Sequence, residues 1–180
     1  MNILALIYFY LPGAMANIGA VVAKFVPGFK EIKTPVDFGK SFRNIRLVGD
    51  HKVWGGVLFG VVLGTIVGVL KYVYFDSFLP QFNILKLGFG ENMLLYFLMS
   101  VGAVSGDLIK SVLKRQLKRA PHTPWIPFDE IDHSLTSLLL VKLFFPIPWT
   151  VIAGVVGVYF FLHIAANWIG YGLKIKSVPY

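Results

Sequence analysis

An all-α membrane protein of five spanning helices is the fold this sequence predicts, and three observations predict it. Apolar residues make up 56% of the 180 and charged residues only 14%, against roughly 25% charged in a typical soluble domain. So few charges cannot coat a globule of this size, and a bilayer is the natural solvent. The mean hydropathy of +0.70 agrees. The charges also gather between long uncharged stretches, with the basic ones in alternate connections. There is no repeat, low-complexity tract or linker, so 1–180 reads as a single integral membrane domain.

A spanning helix needs about 20 mostly apolar residues, each rising about 1.5 Å. The first helix is placed at 2–27, because Lys24 is the first charge. Ala14-Met15-Ala16 has the form of a signal-peptidase site. No basic residue precedes that run and the apolar pattern continues past it, so a retained helix is expected. Pro12-Gly13 is expected to kink it. The second helix, 53–75, contains the uncharged run Val53–Leu70. The third, 92–113, reaches spanning length only by carrying Asp107 and Lys110 with it. The fourth, 132–146, is interrupted by Lys142. Pro146-Ile147-Pro148 turns the chain, since proline lacks an N–H, into the fifth helix at 148–172. Cytoplasmic loops are placed at 28–52 and 114–131.

Topology follows from the cations. The segment 24–52 holds Lys24, Lys30, Lys33, Lys40, Arg43, Arg46 and Lys52, and 107–133 holds Lys110, Lys114, Arg115, Lys118 and Arg119. The tail holds Lys174 and Lys176, whereas the other two connections have almost none. With five helices all three basic segments share one side. The positive-inside rule then puts the N terminus outside and the C terminus in the cytoplasm of a multi-pass cell-membrane protein. The formal net charge of +8 suggests anionic lipid, phosphate ligands or these topology signals rather than nucleic acid. The absence of cysteine excludes a disulfide framework, cysteine zinc sites and a cysteine nucleophile.

Acids are scarce, so their positions carry information. Asp107, at the membrane boundary, is an ionisable group in an expensive place and hence a functional candidate. Ser111, Lys114 and Arg115 share its helical face. Asp129 and Asp132, three apart, share a face of the fourth helix. Carboxylates interleaved with Lys and Arg suit phosphate held through Mg²⁺, with a second cation an option. The plainer alternative is that Asp129 or Glu130 caps a helix and the cations are topology signals. His163 and Asn167 suit an interhelical hydrogen bond. Lys142 is given no chemistry. His51, His122 and His133 do not suggest zinc among hard oxygen donors.

Gly106-Asp107-Leu108-Ile109-Lys110-Ser111-Val112-Leu113-Lys114-Arg115, followed by Pro127 and Asp129-Glu130-Ile131-Asp132, resembles the signature of the membrane cytidylyltransferases that make CDP-alcohols. Pro35-Val36-Asp37-Phe38-Gly39-Lys40-Ser41-Phe42-Arg43 and Arg46-Leu47-Val48-Gly49-Asp50-His51-Lys52, with Gly55-Gly56, are similar to the archaeal branch of that family. Glu130 and His133 depart from the pattern. The resemblance covers nearly the whole chain and implies transfer of CMP from CTP to an unsaturated diether lipid phosphate, with pyrophosphate released. It implies Asp107, Asp129 and Asp132 as metal ligands and, with Lys114, as catalytic residues. Ser111, Lys114, Arg115, Arg43, Arg46, Asp50 and Lys52 are then substrate contacts, and Asn17 and Lys24 line the cavity. The active site is expected on the cytoplasmic side, and a homodimer is compatible with the sequence. Alternatives are the same chemistry on phosphatidate, or a small transporter or channel subunit.

Overall fold

The computed structural model describes residues 2–119 and 123–174; His122 and Lys176 lie outside them. Five helices make the body: α1 Ile3–Val22, α2 Trp54–Leu70, α3 Phe89–Gln116, α4 Phe128–Lys142 and α5 Trp149–Gly172. A two-residue hairpin, β1 Ser41–Phe42 with β2 Ile45–Arg46, interrupts the first long loop. Short helical turns extend α1 through Ala23–Phe25 and α2 through a π-helical Lys71–Phe75. Asn2 caps α1 by accepting from the Leu4 N–H at 2.9 Å. α1 runs unbroken through Pro12, which is wholly buried.

Among the described residues, four helical segments are long and apolar enough to cross a membrane: Ile3–Phe25, Trp54–Phe75, Phe89–Gln116 and Trp149–Gly172. The fourth helix is not among them. It runs over Phe128–Lys142, 15 residues, or roughly 22 Å against about 30 Å of hydrocarbon. It begins four residues earlier than 132 because Pro127 opens it, and a helix start has no use for proline's missing N–H. It ends before 146 because the Lys142 ammonium turns to the Ile147 carbonyl at 2.6 Å and lies 4.6 Å over the Trp149 ring. That pair clamps the turn Leu143–Pro148.

In lipid no hydrophobic force drives helices together, so close backbone packing at small residues does the work. α2 presents Gly56, Gly60, Gly64 and Gly68, one per turn, all buried. A Cβ at these sites would stand 2.9 Å from the Ala20 carbonyl oxygen, 2.7 Å from that of Ala16, 2.6 Å from that of Pro12 and 2.6 Å from the Tyr96 Cβ. The pairings run in opposite chain directions, so α2 lies antiparallel between α1 and α3. α3 meets α4 in the same way: a Cβ on Gly102 would stand 2.5 Å from the Ser137 Cα, and one on Gly106 2.8 Å from the Asp132 carbonyl carbon. The apolar core joins Phe9 and Tyr10 of α1, Leu95 and Met99 of α3, Leu138 and Val141 of α4, and Val155 and Tyr159 of α5. Tyr10 and Tyr159 donate to the carbonyls of His133 and Ile7, at 2.7 and 2.8 Å, and so tie α1 to α4 and α5.

Candidate active site

Gly106 lets the α4 backbone reach α3 at Asp132, and this brings the acids together. Lys110, one turn beyond Asp107, stands between the two helices. Its Nζ lies 2.7 Å from Asp132 Oδ2, 3.3 Å from Asp129 Oδ1 and 3.5 Å from Asp107 Oδ1. Lys114 Nζ contacts both Asp129 oxygens, at 2.7 and 2.8 Å, and donates to the Thr123 carbonyl at 2.9 Å. Lys52, from the first loop, donates to Asp107 Oδ2. Three carboxylates thus face three ammonium groups. Like charges this close need such partners to stay ionised together.

Asp129 also accepts the Trp125 N–H at 2.7 Å. It therefore steers the chain into α4 from the first turn and does not stand at the N-cap, which is Pro127. Asp132 accepts the His133 N–H at 2.6 Å, and the His133 ring lies 3.3 Å away. Glu130 and His133 are both buried, at 3% and 4% exposure. α3 continues ten residues past Gly106, about 15 Å, so the acids lie well below its end.

The predicted contacts divide into two groups. Asp107, Lys114, Asp129, Asp132 and Lys52 converge. Ser111 shares the face, but its hydroxyl donates to the Asp107 carbonyl at 2.8 Å, a bond within α3. Arg115 lies against the loop, its guanidinium 3.0 Å from where a Gly49 Cβ would be. Arg43 sits at the hairpin tip with φ +52, its guanidinium 5.2 Å over the Phe42 ring. Arg46 is held by Asp37, at 3.1 and 3.0 Å, and by the exposed Asp50 at 2.8 Å.

Asp37 is the buried knot of that loop. It accepts the N–H groups of Gly39, Val48 and Gly49 at 2.9–3.1 Å. The Arg46 guanidinium first, and then these N–H groups, hold its carboxyl well below the usual carboxylate range. Its effect on the site is indirect, because it shapes the loop that carries Lys52. Sequence reasoning missed both Asp37 and Lys110. An acid between Pro35 and Gly39 in a basic loop was a signal for the first. The second was hidden, because Lys at i+3 from Asp reads as an ordinary surface pair.

Asp107 and Lys52 also line a cavity of about 720 Å³ with Asn17, Lys24, Lys30, Lys33 and His51 at its polar side and Ala20, Val21, Val57 and Val104 among its apolar wall. It is strongly cationic and opens between α1, α2 and α3. The donors suit a hard cation such as Mg²⁺, which takes carboxylate oxygens. The buried Asp129 Oδ1, Glu130 Oε2 and Asp132 Oδ2 have no directed hydrogen bond. Among the described residues no three acidic or histidine groups already stand as a closed metal site; the carboxylates face the Lys110 ammonium instead.

Comparison with known proteins gives a consistent picture. The family model described as "CarS-like: CDP-archaeol synthase" matches residues 1–180. The CDP-archaeol synthase of Pyrococcus furiosus is 32% identical over 179 residues, covering 99% of this chain and 98% of that protein. That of Saccharolobus solfataricus is 34% identical over 181 residues, with 99% and 97% covered. That of Methanocaldococcus jannaschii is 33% identical over 178 residues, with 97% and 95% covered. A solved structure described as an intramembrane enzyme for archaeal membrane lipid biosynthesis superposes with a TM-score of 0.71 at 29% identity, covering 92% of this chain and 94% of that one.

Proposed function

The chain belongs to the CDP-archaeol synthase family, and on that premise we propose that CTP and the lipid phosphate meet where the Asp107–Asp129–Asp132 cluster opens into the lysine-lined cavity. The enzyme is an integral membrane CTP-dependent cytidylyltransferase that forms CDP-archaeol. A phosphate oxygen of the unsaturated diether lipid attacks the α-phosphorus of CTP. A new P–O bond forms, the bond to the β-phosphate oxygen breaks, and pyrophosphate leaves. The nucleophile is already anionic at neutral pH, so no strong general base is needed. The difficulty is to bring two polyanions together, and positioning with charge stabilisation answers it.

The observation that carries this assignment is that Asp107 belongs both to the acidic cluster and to the cavity. The cavity supplies Lys24, Lys30, Lys33 and Lys52 as phosphate partners, with apolar residues deeper for the lipid. Asp107, Asp129 and Asp132 would hold Mg²⁺, which would neutralise triphosphate charge when bound. Lys114 fixes Asp129, and Arg115 holds the first loop over the end of α3. In this reading Arg43, Arg46 and Asp50 shape the loop rather than touch the reacting phosphates. The site faces the cytoplasm of the cell membrane, with the N terminus outside. The basic segments support that, and α4 with the Leu143–Pro148 turn completes the fifth crossing.

The test is pyrophosphate release by the purified protein in detergent with CTP, Mg²⁺ and digeranylgeranylglycerol phosphate. Asp132→Asn should lower it by about 10²–10³-fold with folding retained, and a chelator should abolish it. Release that is indifferent to Asp132 or to metal would sink the site. Replacing the diether by phosphatidate ranks the lipid tails.

A further inference from the structure

We propose that Lys110 is a tethered cation: its ammonium closes the Asp107–Asp129–Asp132 cluster before a divalent cation arrives and yields that place when one is loaded. The inference rests on the assignment of those three acids to metal.

Lys110 differs from its neighbours in how it is shared. Lys52 pairs with Asp107, and Lys114 pairs with Asp129 and the Thr123 carbonyl. Lys110 lies within 3.5 Å of all three aspartates at once. Three carboxylates converging on one nitrogen is the arrangement of ligands about a cation. The acids come from two helices, and only Lys110 bridges the full set among the described residues. The Lys110 side chain is 17% exposed and that of Asp132 9%, so the ammonium is enclosed but has a way out.

Charge favours the exchange. Three aspartates and the three lysines cancel. Adding a divalent ion among them would leave a double positive excess in a poorly solvated place, where charge interactions are strong. Displacing Lys110 frees the carboxylate oxygens for the metal. Four methylenes of arm then let the ammonium turn to an arriving phosphate, for which lysine acts as a mobile point charge. A cluster closed in this way keeps its geometry without metal, since the aspartates are never left to repel one another.

The sign of one measurement separates this role from that of a strut. Mn²⁺ would be titrated by calorimetry into the full-length protein in detergent, without nucleotide. Lys110→Met keeps the arm and removes the charge. A competing ammonium predicts Mn²⁺ binding at least about tenfold tighter in Lys110→Met than in the wild type. A strut predicts weaker binding, because the carboxylates would move apart; weaker or equal binding overturns the proposal. Lys110→Gln, with size-exclusion profiles for each variant, is the second neutral form should methionine impair folding. Lys110→Arg keeps the charge and should bind no tighter than wild type; binding as tight as Lys110→Met would overturn the proposal too. If neither wild type nor a folded neutral variant binds Mn²⁺, the metal assignment itself falls and takes this inference with it. Equal binding by both leaves that assignment standing and removes only the role of Lys110.

Discussion

Lys71 and Lys110 are both enclosed lysines beside aspartates, and they are partnered very differently. Among the described residues Lys71 has one acidic partner, Asp76, at 3.1 Å. Its ammonium is lidded by the rings of Tyr8 and Tyr96, at 4.2 and 5.2 Å, and the Tyr8 hydroxyl donates to the same aspartate at 2.5 Å. Tyr96 lies eleven residues before Asp107 on α3, about 16 Å along the helix. There Lys110 is shared among three acids beside a cavity. The Lys71 pair is six to seven per cent exposed at the side chains and clamps the π-helical end of α2 to α1 and α3. One partner under an aromatic lid makes a fastening, whereas many partners beside an opening are the arrangement that the proposed ion exchange needs.

The comparison breaks most sharply at Lys71. Lys71→Met leaves Asp76 without its cation, with the Tyr8 hydroxyl still donating to it, and breaking a buried pair in this way costs about 3–5 kcal/mol. A thermal midpoint in detergent should fall accordingly. Pyrophosphate release per folded molecule should stay within about threefold of wild type, since distant sites act independently. A large loss of turnover in the folded variant would show that the two regions are not separate.

Gly106→Ala sharpens the other side. Its methyl group would press on the Asp132 carbonyl, and overpacking of this kind costs about 1–3 kcal/mol. Turnover should fall further than stability, because the shift parts Asp132 from Asp107. Unchanged activity would mean that the close approach of α3 and α4 does not set the site.

The smallest effect concerns the loop. Asp37 has its carboxyl lowered from the usual 3.8, so it stabilises the fold above that value and loses the contribution as pH falls through the lower folded value. Asp37→Asn should therefore be less stable than wild type at neutral pH, with the gap narrowing as pH drops below about 4. Thermal unfolding at several pH values reads this. A gap constant with pH would remove Asp37 as the charged knot of the loop.

Much of this fold was legible because it is periodic. The uncharged runs located α1, α2 and α5, and helical spacing put Asp107 and Lys114 on one face. What escaped depends on contacts between elements. Gly56, Gly60, Gly64 and Gly68 of α2 recur once per turn, yet only the neighbours Ala16, Ala20 and Tyr96 give that spacing meaning. Arg46 was read as a substrate contact because its partner Asp37 lies nine residues away in an irregular loop. The placement of α4 was off by four residues because its apolar run begins later than its hydrogen bonds do, after Pro127 and an acidic first turn.

The reach of α3 past Gly106 has a kinetic consequence. With the acids sunk beneath the end of α3, one reactant moves in two dimensions within the lipid sheet and the other in three dimensions through water. Turnover should then follow the mole fraction of lipid phosphate in the surface, not its bulk concentration. Diluting the vesicles at constant composition would leave the rate per enzyme unchanged, whereas diluting the lipid phosphate with inert lipid would lower it.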